Sequence, residues 1–186
     1  MKNAFKLMLS VLGLFTLVAC IGGISTDLPT GDSGSTATGG FCIDNDCTCP
    51  TDTECDLECS DDQTCQTVCQ PGSDCSMECQ DNPDCDVECS TSDSCSVDCD
   101  GATSCDVNCP DADSCTADCA NTGACDVQCA GAGHCDVNCD SSGDCQVHCP
   151  DGNCIVRNCL QQETCTVACG ADSTPGVQDG DNVVCD

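Results

Sequence analysis

A ten-residue pattern with two cysteines repeats in series from Thr51 to Gly170, and it constrains the fold more than any other feature of this chain. The stretch Asp100–Cys109, DGATSCDVNC, is typical of it. Successive copies give the spacing C-x3-C-x5-C over and over. Self-similarity at a fixed short period indicates a repeat architecture, in which each unit packs on its neighbours.

The residue midway between the two cysteines of a block is mostly aliphatic, and the residues beside it are almost always polar. Val107, for example, stands between Asp106 and Asn108. Apolar and polar residues therefore alternate, which is the period of a strand with one buried face. The five residues between such strands, as in DGATS or PDADS, are turn formers. The pattern predicts an all-β fold, a disulfide-laddered β-solenoid or β-roll of about twelve ten-residue repeats.

Large side chains are too few to build a conventional core. Trp and Tyr are absent, and of the three Phe, Phe5 and Phe15 lie in the N-terminal apolar stretch, which leaves Phe41. Covalent staples must replace the missing core. An array of knotted miniproteins is the alternative for a chain so rich in cysteine, but it would not require such regular spacing.

The first nineteen residues combine two lysines with an apolar run, Leu7–Ala19. This run is too short for a bilayer core, which needs about 20 residues, so it predicts the apolar region of a signal peptide. The run ends in LVAC (17–20), which resembles the lipobox of bacterial lipoproteins. The resemblance implies that Cys20 carries a covalent lipid such as palmitate and becomes the mature N-terminus. An ordinary secretory signal with a chance cysteine is the alternative.

Composition divides the chain into five predicted segments. Residues 21–40 are rich in Gly, Ser and Thr without a hydrophobic period, which predicts a flexible tether with an r.m.s. length of about 25 Å. Ile21, rather than Asp, follows Cys20, which by analogy with enterobacterial sorting favours the outer membrane. The segments are a signal peptide at 1–19, the lipidated cysteine and tether at 20–40, an N-terminal cap at 41–50, the repeat domain at 51–170 and a C-terminal cap at 171–186.

Apart from Cys20, 28 cysteines remain in a chain that is predicted to be exported, where disulfides persist. Cysteines four apart on one strand are separated by about 13 Å, whereas a disulfide tolerates Cα separations of roughly 4.4–6.8 Å. Two partners stay open: the cysteine across the following turn, or the equivalent cysteine one coil away, about 4.8 Å along the stack. Pairing across the turns leaves no cysteine over. Its pairs include Cys42–Cys47, Cys49–Cys55, Cys59–Cys65, Cys69–Cys75, Cys99–Cys105, Cys109–Cys115, Cys149–Cys154, Cys159–Cys165 and Cys169–Cys185.

One block departs from the ten-residue period. Its turn, 151–153, is one residue shorter, its stretch Cys154–Cys159 is one residue longer, and Cys165 returns to the original period. The shorter turn and the longer stretch cancel in length, which predicts a β-bulge that preserves the register. A slip of one residue would instead turn the cysteines outward.

Charge narrows the choice of partner. Downstream of the leader one base, Arg157, is set against 33 acids, which gives a formal charge of −32. This excludes nucleic acid and anionic lipid headgroups as electrostatic partners and favours cations or basic proteins. If two blocks form a coil, equivalent acids stack about 4.8 Å apart and repel, which raises their pKa values. The predicted columns are Asp86, Asp106 and Asp126, and Glu58, Glu78, Asp98 and Asp118.

No motif points to catalysis. His134 and His148 are isolated, no spacing pairs a nucleophile with a base, and the C-x-x-C of a redox catalyst is absent. Metallothionein-like proteins resemble this chain in lacking aromatic residues, but they are crowded with C-x-C and C-x-x-C. Calcium-binding RTX β-rolls keep a ligating Asp in every turn, whereas the acids of this chain stand at different positions from one turn to the next. The resemblance to insect antifreeze solenoids is limited to the scaffold, because those proteins present an array of Thr-x-Thr on their surface.

The sequence therefore predicts a membrane-anchored, acidic structural or protein-interaction module at the bacterial outer membrane or cell surface, without catalysis. The alternative is binding of calcium or another metal ion by the acidic faces. No cofactor is expected beyond the lipid on Cys20 and diffusely associated divalent cations, and no metal ligands are assigned.

Overall fold

The structure, a computed structural model, describes residues 36–43, 45–59, 64–151, 153–161 and 164–185. In these residues the chain forms an all-β solenoid of about six turns with a ladder of disulfides between repeats. The fold class predicted from the repeat is confirmed. The described residues also include a short 3-10 helix at Cys159–Gln161.

Two nine-stranded sheets make up the solenoid. In chain order the strands are β1 (Thr36–Thr38), β2 (Phe41–Ile43), β3 (Asp46–Cys49), β4 (Glu54–Glu58), β5 (Cys65–Cys69), β6 (Asp74–Glu78), β7 (Cys85–Glu88), β8 (Ser94–Asp98), β9 (Ser104–Asn108), β10 (Ser114–Asp118), β11 (Ala124–Gln128), β12 (Cys135–Asn138), β13 (Asp144–Cys149), β14 (Cys154–Arg157), β15 (Cys165–Cys169), β16 (Thr174–Pro175), β17 (Val177–Asp179) and β18 (Asn182–Cys185). Sheet A has the order β1-β4-β6-β8-β10-β12-β14-β18-β17, and sheet B has the order β16-β15-β13-β11-β9-β7-β5-β3-β2.

Each coil of the solenoid contains two blocks, one strand in each sheet. The sequence left open whether a coil contains one block or two. The register answers this question, because Cys105 pairs with Cys125 and Val107 with Val127, residues twenty positions apart in parallel strands. Every second block therefore stacks on the same sheet.

Strand residues alternate between the interior and solvent as the sequence predicts. In β9, Cys105 and Val107 are buried and Asp106 is exposed. Each sheet contributes one column of mostly aliphatic side chains to the interior, so two such columns meet between the disulfides. The buried mid-strand residues are Leu57, Met77, Val97, Ala117, Val137 and Val156 in sheet A, and Thr67, Val87, Val107, Val127 and Val147 in sheet B.

The turns between Cys79 and Cys145 stack regularly on one another. Gly101 has φ 77° and Asn121, one coil later, has φ 54°. A left-handed residue at the third place of a four-residue turn is characteristic of type II turns. Gly101 N–H donates to the Ala120 carbonyl of the next coil at 3.1 Å, and Ala102 N–H closes the turn onto the Cys99 carbonyl at 3.0 Å. The turns thus continue the hydrogen-bond ladder around the edge of the coil.

One buried position in the turns was not foreseen from the alternation of the strands. It is the third residue after the second cysteine of a block, and its side chain points inward. Its signal in the sequence is small size, since larger side chains would not fit between stacked turns. The residues at this position are Asn82, Ser92, Ala102, Ala112, Thr122, Ala132 and Ser142.

The compensated block keeps its register, but the extra residue lies outside the strand. Val156 of β14 pairs with Val137 of β12, so the interior column is unbroken. β14 ends at Arg157, and Asn158 follows with φ 58° before Cys159. The predicted lengthened strand is therefore a four-residue strand followed by a left-handed asparagine, a residue type that tolerates this conformation.

Antiparallel strands close both ends of the stack. β1 and β2 pair with β4 and β3 at one end, and β18 and β16 pair with β14 and β15 at the other. An open end would present unpaired N–H and C=O groups to another chain. The closing strands are short and one contains Pro175, features that reduce pairing at an edge.

The first strand corrects the predicted tether at 20–40. Thr36–Thr38 pairs with β4, and Ala37 aligns with Leu57 and packs against the buried core. A Gly/Ser/Thr-rich composition does not exclude a strand where an edge is available for pairing, because threonine itself favours extended backbone. Residues 20–35 lie outside the described part of the chain.

Candidate functional site

Every cysteine after Cys20 forms a disulfide, and the pairs are those expected from pairing across the turns. Cys99 is bonded to Cys105 with a Cα separation of 6.3 Å, within the range of ordinary disulfides. The bridges form two series, one along each edge of the solenoid. Ladder 1 contains Cys49–Cys55, Cys69–Cys75, Cys89–Cys95, Cys109–Cys115, Cys129–Cys135, Cys149–Cys154 and Cys169–Cys185. Ladder 2 contains Cys59–Cys65, Cys79–Cys85, Cys99–Cys105, Cys119–Cys125, Cys139–Cys145 and Cys159–Cys165.

The remaining bridge, Cys42–Cys47, joins β2 to β3 at the N-terminal end of the stack. Cys47 aligns with Thr67, so it occupies the mid-strand interior column of sheet B rather than a ladder position. Its burial explains why this strand can begin a coil without an aliphatic residue at that place.

At several steps of both ladders, sulfur atoms of successive bridges lie close together. Groups of three or four Sγ atoms have all their members within 4.8 Å of one another. The thiolate is the form of cysteine that binds metal, and each of these sulfurs is bonded to another sulfur. The groups are Cys129, Cys135, Cys149 and Cys154; Cys85, Cys99 and Cys105; Cys89, Cys95 and Cys109; and Cys139, Cys145 and Cys165.

The outer face of sheet B carries the first predicted column of acids. Asp86, Asp106 and Asp126 are in register on three successive strands. Although the Asp106 side chain is exposed, neighbouring atoms shield it partly from water, which raises its pKa, and the carboxylates of Asp126 and Asp86 raise this pKa further. We call these three residues the sheet B acidic column. The electrostatic field at Asp106, the central residue of the column, therefore favours binding of a proton or another cation.

The outer face of sheet A carries the second predicted column, in which amides moderate the charge. Its acids are in register from strand to strand. Gln80 Nε2 donates to Asp98 Oδ2 at 2.5 Å, and Asn138 Nδ2 donates to Asp118 Oδ1 at 2.9 Å. We call this set the sheet A acidic column. It contains Glu58, Glu78, Asp98 and Asp118.

Amides that donate to a carboxylate of a neighbouring coil were not foreseen from the sequence. Asn108 Nδ2 likewise donates to Glu88 Oε2 at 2.8 Å, from one coil to the previous one. The signal was present, since residues twenty positions apart share a column, but it could be used only once the two-block coil was known. Asn and Gln therefore give some of the outward carboxylates a hydrogen-bond donor from the neighbouring coil.

The single base of the repeat region does not neutralise either acidic column. Arg157 forms a two-pronged ion pair with Asp136, with Nε donating to Oδ1 at 2.6 Å and Nη2 contacting Oδ2. This hydrogen bond, and then the charge of Asp136, raises the pKa of Arg157. Asp136 aligns with Thr116, so it belongs to a different column from Asp118.

The two histidines occupy separate places. His148 lies on the outer face of β13, aligned with Gln128, while His134 lies in the turn before β12. His148 lines an open groove of about 490 Å³ across sheet B, where Asp126 and Thr166 also contribute and Pro175 forms one side. The groove offers carboxylate, hydroxyl, amide and imidazole groups to solvent.

Cys20 and the signal peptide lie outside the described residues, so lipidation stays a prediction. Among the residues that the structure does describe, no helix has the length and apolarity needed to cross a membrane.

Comparison with known proteins gives no further indication of function: no family model matches the chain, and neither a curated protein nor a solved structure matches it.

Proposed function

We propose that this chain is an exported, lipid-anchored structural or interaction module whose acidic faces bind cationic partners. The observation that carries the proposal is the stacking of acids in register, in the sheet A and sheet B acidic columns, over an interior held by disulfides. A surface of this kind concentrates cations and attracts basic proteins at long range. The proposal includes no catalytic step.

The scaffold suits exposure outside the cell. Its interior consists of small aliphatic residues and disulfides, which persist in oxidising compartments. Each short loop closed by a bridge stabilises the fold by about 2–3 kcal/mol through restriction of the unfolded chain. Backbone hydrogen bonds between the described turns of neighbouring coils oppose the local opening that proteolysis requires.

Attachment to the membrane rests on the lipobox-like LVAC at 17–20 and is tested at the mature N-terminus. Mass spectrometry of the membrane fraction is expected to find a lipid-modified Cys20 as the first residue. The variant Cys20→Ser is expected to remain uncleaved or to leave the membrane fraction. An unmodified residue other than Cys20 at the mature N-terminus would contradict the anchor, without bearing on the acidic faces.

Partner binding is tested by neutralising one acidic column while the scaffold is kept. The triple variant replaces each Asp of the sheet B acidic column by Asn, and its affinity for a lysine-rich peptide is measured at low and high salt. We expect weaker binding and a smaller salt dependence than in the natural protein. The matched control places Asn at three equivalent outward positions of sheet A, Ser76, Ser96 and Thr116. Equal affinities in all three proteins would contradict a role for the column.

Binding of divalent cations is the second candidate, and the register of Asp86, Asp106 and Asp126 on successive strands favours it. A cation beside Asp106 would relieve the repulsion from Asp126 and Asp86 that raises the pKa of Asp106. Calorimetric titration with calcium separates the two candidates. Saturable binding that survives high salt and is lost in the triple variant would indicate a cation site. A heat of binding that disappears at high salt would indicate a diffuse counterion layer. The basic protein would then be the proposed ligand.

A further inference from the structure

The two ladders bring buried disulfides close to one another along each edge of the solenoid. In ladder 2, Cys59 Sγ lies 3.9 Å from Cys79 Sγ of the next bridge. At the other end of the same ladder, Cys165 Sγ lies within 4.8 Å of both Cys139 Sγ and Cys145 Sγ. A sulfur released from one bridge would therefore face another disulfide rather than solvent.

Access to the ladders from solvent is confined to one end. Among the ladder cysteines, all of which the structure describes, Cys165 and Cys169 are half-buried and the others are buried. Both residues belong to the last bridge of their ladder, at the C-terminal end of the stack. At the opposite end the sulfurs of Cys49–Cys55 are buried.

We propose that each ladder is a path for intramolecular thiol–disulfide exchange, which an external dithiol enters at Cys165 or Cys169 and which leads to the buried bridges. The substrate class is a small dithiol or an exposed dithiol of another protein. The chain would thus accept reducing equivalents at its C-terminal end and distribute them through an interior that the reductant itself does not reach.

The steps balance in atoms and electrons. The external dithiol reduces Cys159–Cys165 and is oxidised to a disulfide, which leaves two thiols on the chain. The Cys165 thiol loses its proton to water, and its thiolate attacks Cys145 Sγ. A Cys145–Cys165 bond forms, the Cys139–Cys145 bond breaks, and Cys139 leaves with the electron pair and takes up a proton. One disulfide replaces another, and the free thiol has moved one coil inward.

The pH sets the pace of this exchange, because the thiolate is the attacking species. The exchange rate is therefore expected to rise by up to about tenfold per pH unit while the pH stays below the pKa of the thiol. Mildly alkaline buffer is the condition in which to observe it.

A single substitution in the full oxidised chain tests the proposal without added reductant. Cys159→Ser leaves Cys165 as an unpaired thiol beside Cys139–Cys145. The matched control, Cys42→Ser, leaves Cys47 unpaired, and this residue aligns with Thr67 instead of with a cysteine. Both proteins are moved from acidic to mildly alkaline buffer and quenched in acid after increasing times. They are then unfolded in mildly acidic denaturant that contains a maleimide, so that buried thiols are alkylated too, and digested with pepsin in acid. Mass spectrometry without reduction then locates the alkyl group and the remaining bridges.

In Cys159→Ser we expect alkylation to shift from Cys165 alone to Cys139 and Cys145 as well, with peptides that link two coils. In Cys42→Ser we expect it to stay at Cys47. Alkylation confined to Cys165 throughout, or equal migration in the control, would overturn the proposal.

The natural protein provides a second test that does not depend on the folding of a variant. It is treated with less dithiothreitol than is needed to reduce two bridges per molecule and is then analysed in the same way. Linkages between coils, such as Cys145–Cys165, are expected before any molecule is fully reduced. Molecules that are either untouched or completely reduced, without such linkages, would contradict exchange along the ladder.

Discussion

At the scale of a residue, the side of the strand that a side chain occupies decides what it contributes to stability. Leu57 is 2% exposed in the interior column of sheet A, and Leu160 is 44% exposed on the 3-10 helix. The two leucines offer the same atoms to different surroundings. They therefore form a natural pair for separating burial from residue type.

Replacing each leucine by alanine tests this distinction. Leu57→Ala is expected to lower the free energy of unfolding by about 2–5 kcal/mol, because it removes buried methyl groups and leaves a cavity. Leu160→Ala is expected to change it by less than about 0.5 kcal/mol. Urea unfolding of both variants in the same disulfide state measures the difference. Equal losses would contradict the assignment of Leu57 to the interior.

The charge of Asp106 predicts how stability depends on pH. Because its pKa is raised in the fold, the native state binds its proton more tightly than the unfolded chain does. The free energy of unfolding therefore rises as the pH falls from neutral towards 3.8, the usual value for Asp, and this contribution is lost again as the pH increases.

Asp106→Asn removes the effect. At neutral pH the variant is expected to be more stable by roughly 0.2–1 kcal/mol, the range for like charges on neighbouring strands. It should also gain less from acid than the natural protein does. Asp136→Asn, which breaks the ion pair with Arg157, should instead lose about 0–1 kcal/mol at neutral pH. Urea midpoints at neutral and mildly acidic pH decide between these outcomes, and a gain in both variants would argue against repulsion within the column.

At the scale of an element, the turns hold most of the backbone strain. Thr91 occupies the left-handed turn position with φ 54°, which Gly101 and Gly131 fill elsewhere. A β-branched residue is poorly suited to this conformation, whereas asparagine tolerates it.

Thr91→Asn is therefore expected to stabilise the protein by about 1 kcal/mol. Thr116→Asn, at an outward strand position, is the control and is expected to be neutral or slightly destabilising, because threonine favours extended backbone. Thermal unfolding under identical conditions compares the two variants. A loss of stability in Thr91→Asn would mean that the threonine side chain contributes a contact that outweighs the strain.

The strands and bridges could be predicted from the sequence because each follows from a local rule. Alternation around Val107 identifies a strand, and the distance limit of a disulfide reduces the partners of Cys105 to two. The choice between one and two blocks per coil is not local. It depends on whether a turn reverses the chain into the same sheet or into the opposite one, and cysteine spacing is compatible with both. The strand at Thr36–Thr38 was missed for a related reason, since its pairing partner β4 is supplied by the fold.

At the scale of the whole molecule, covalent bonds and charge act in opposite directions. The formal charge of −32 downstream of the leader would expand a chain without bridges, whereas each ladder disulfide ties a strand of one sheet across a turn to the next strand in the other sheet. Reduction should therefore reveal the repulsion that the disulfides normally withstand.

The reduced protein is expected to unfold in low salt and to recover with added salt or divalent cations, which screen the carboxylates. The experiment uses excess neutral reductant under anaerobic conditions rather than alkylation, since the buried cysteines have no room for an added group. Circular dichroism across a range of salt concentrations follows the transition, and the oxidised protein is the control. If the unfolding midpoint of the reduced protein did not depend on salt, repulsion within the acidic columns would contribute little to the free energy of unfolding.

Because a coil contains two blocks, the effect of a deletion depends on whether an even or an odd number of blocks is removed. Removing the twenty residues Pro110–Cys129 would bring Cys109 and Cys135 to the spacing of an ordinary bridge and leave every later residue on its present sheet. Removing only Pro110–Cys119 would bring Cys109 equally well to Cys125, yet it would transfer everything downstream to the opposite face. Asp126 would then follow Ser96, and Asp136 would follow Asp106. Neighbouring blocks place equivalent residues in the interior but expose their polar residues on opposite sheets. A change in length by an odd number of blocks would therefore rearrange the charged surface downstream of it, while every disulfide kept its pattern.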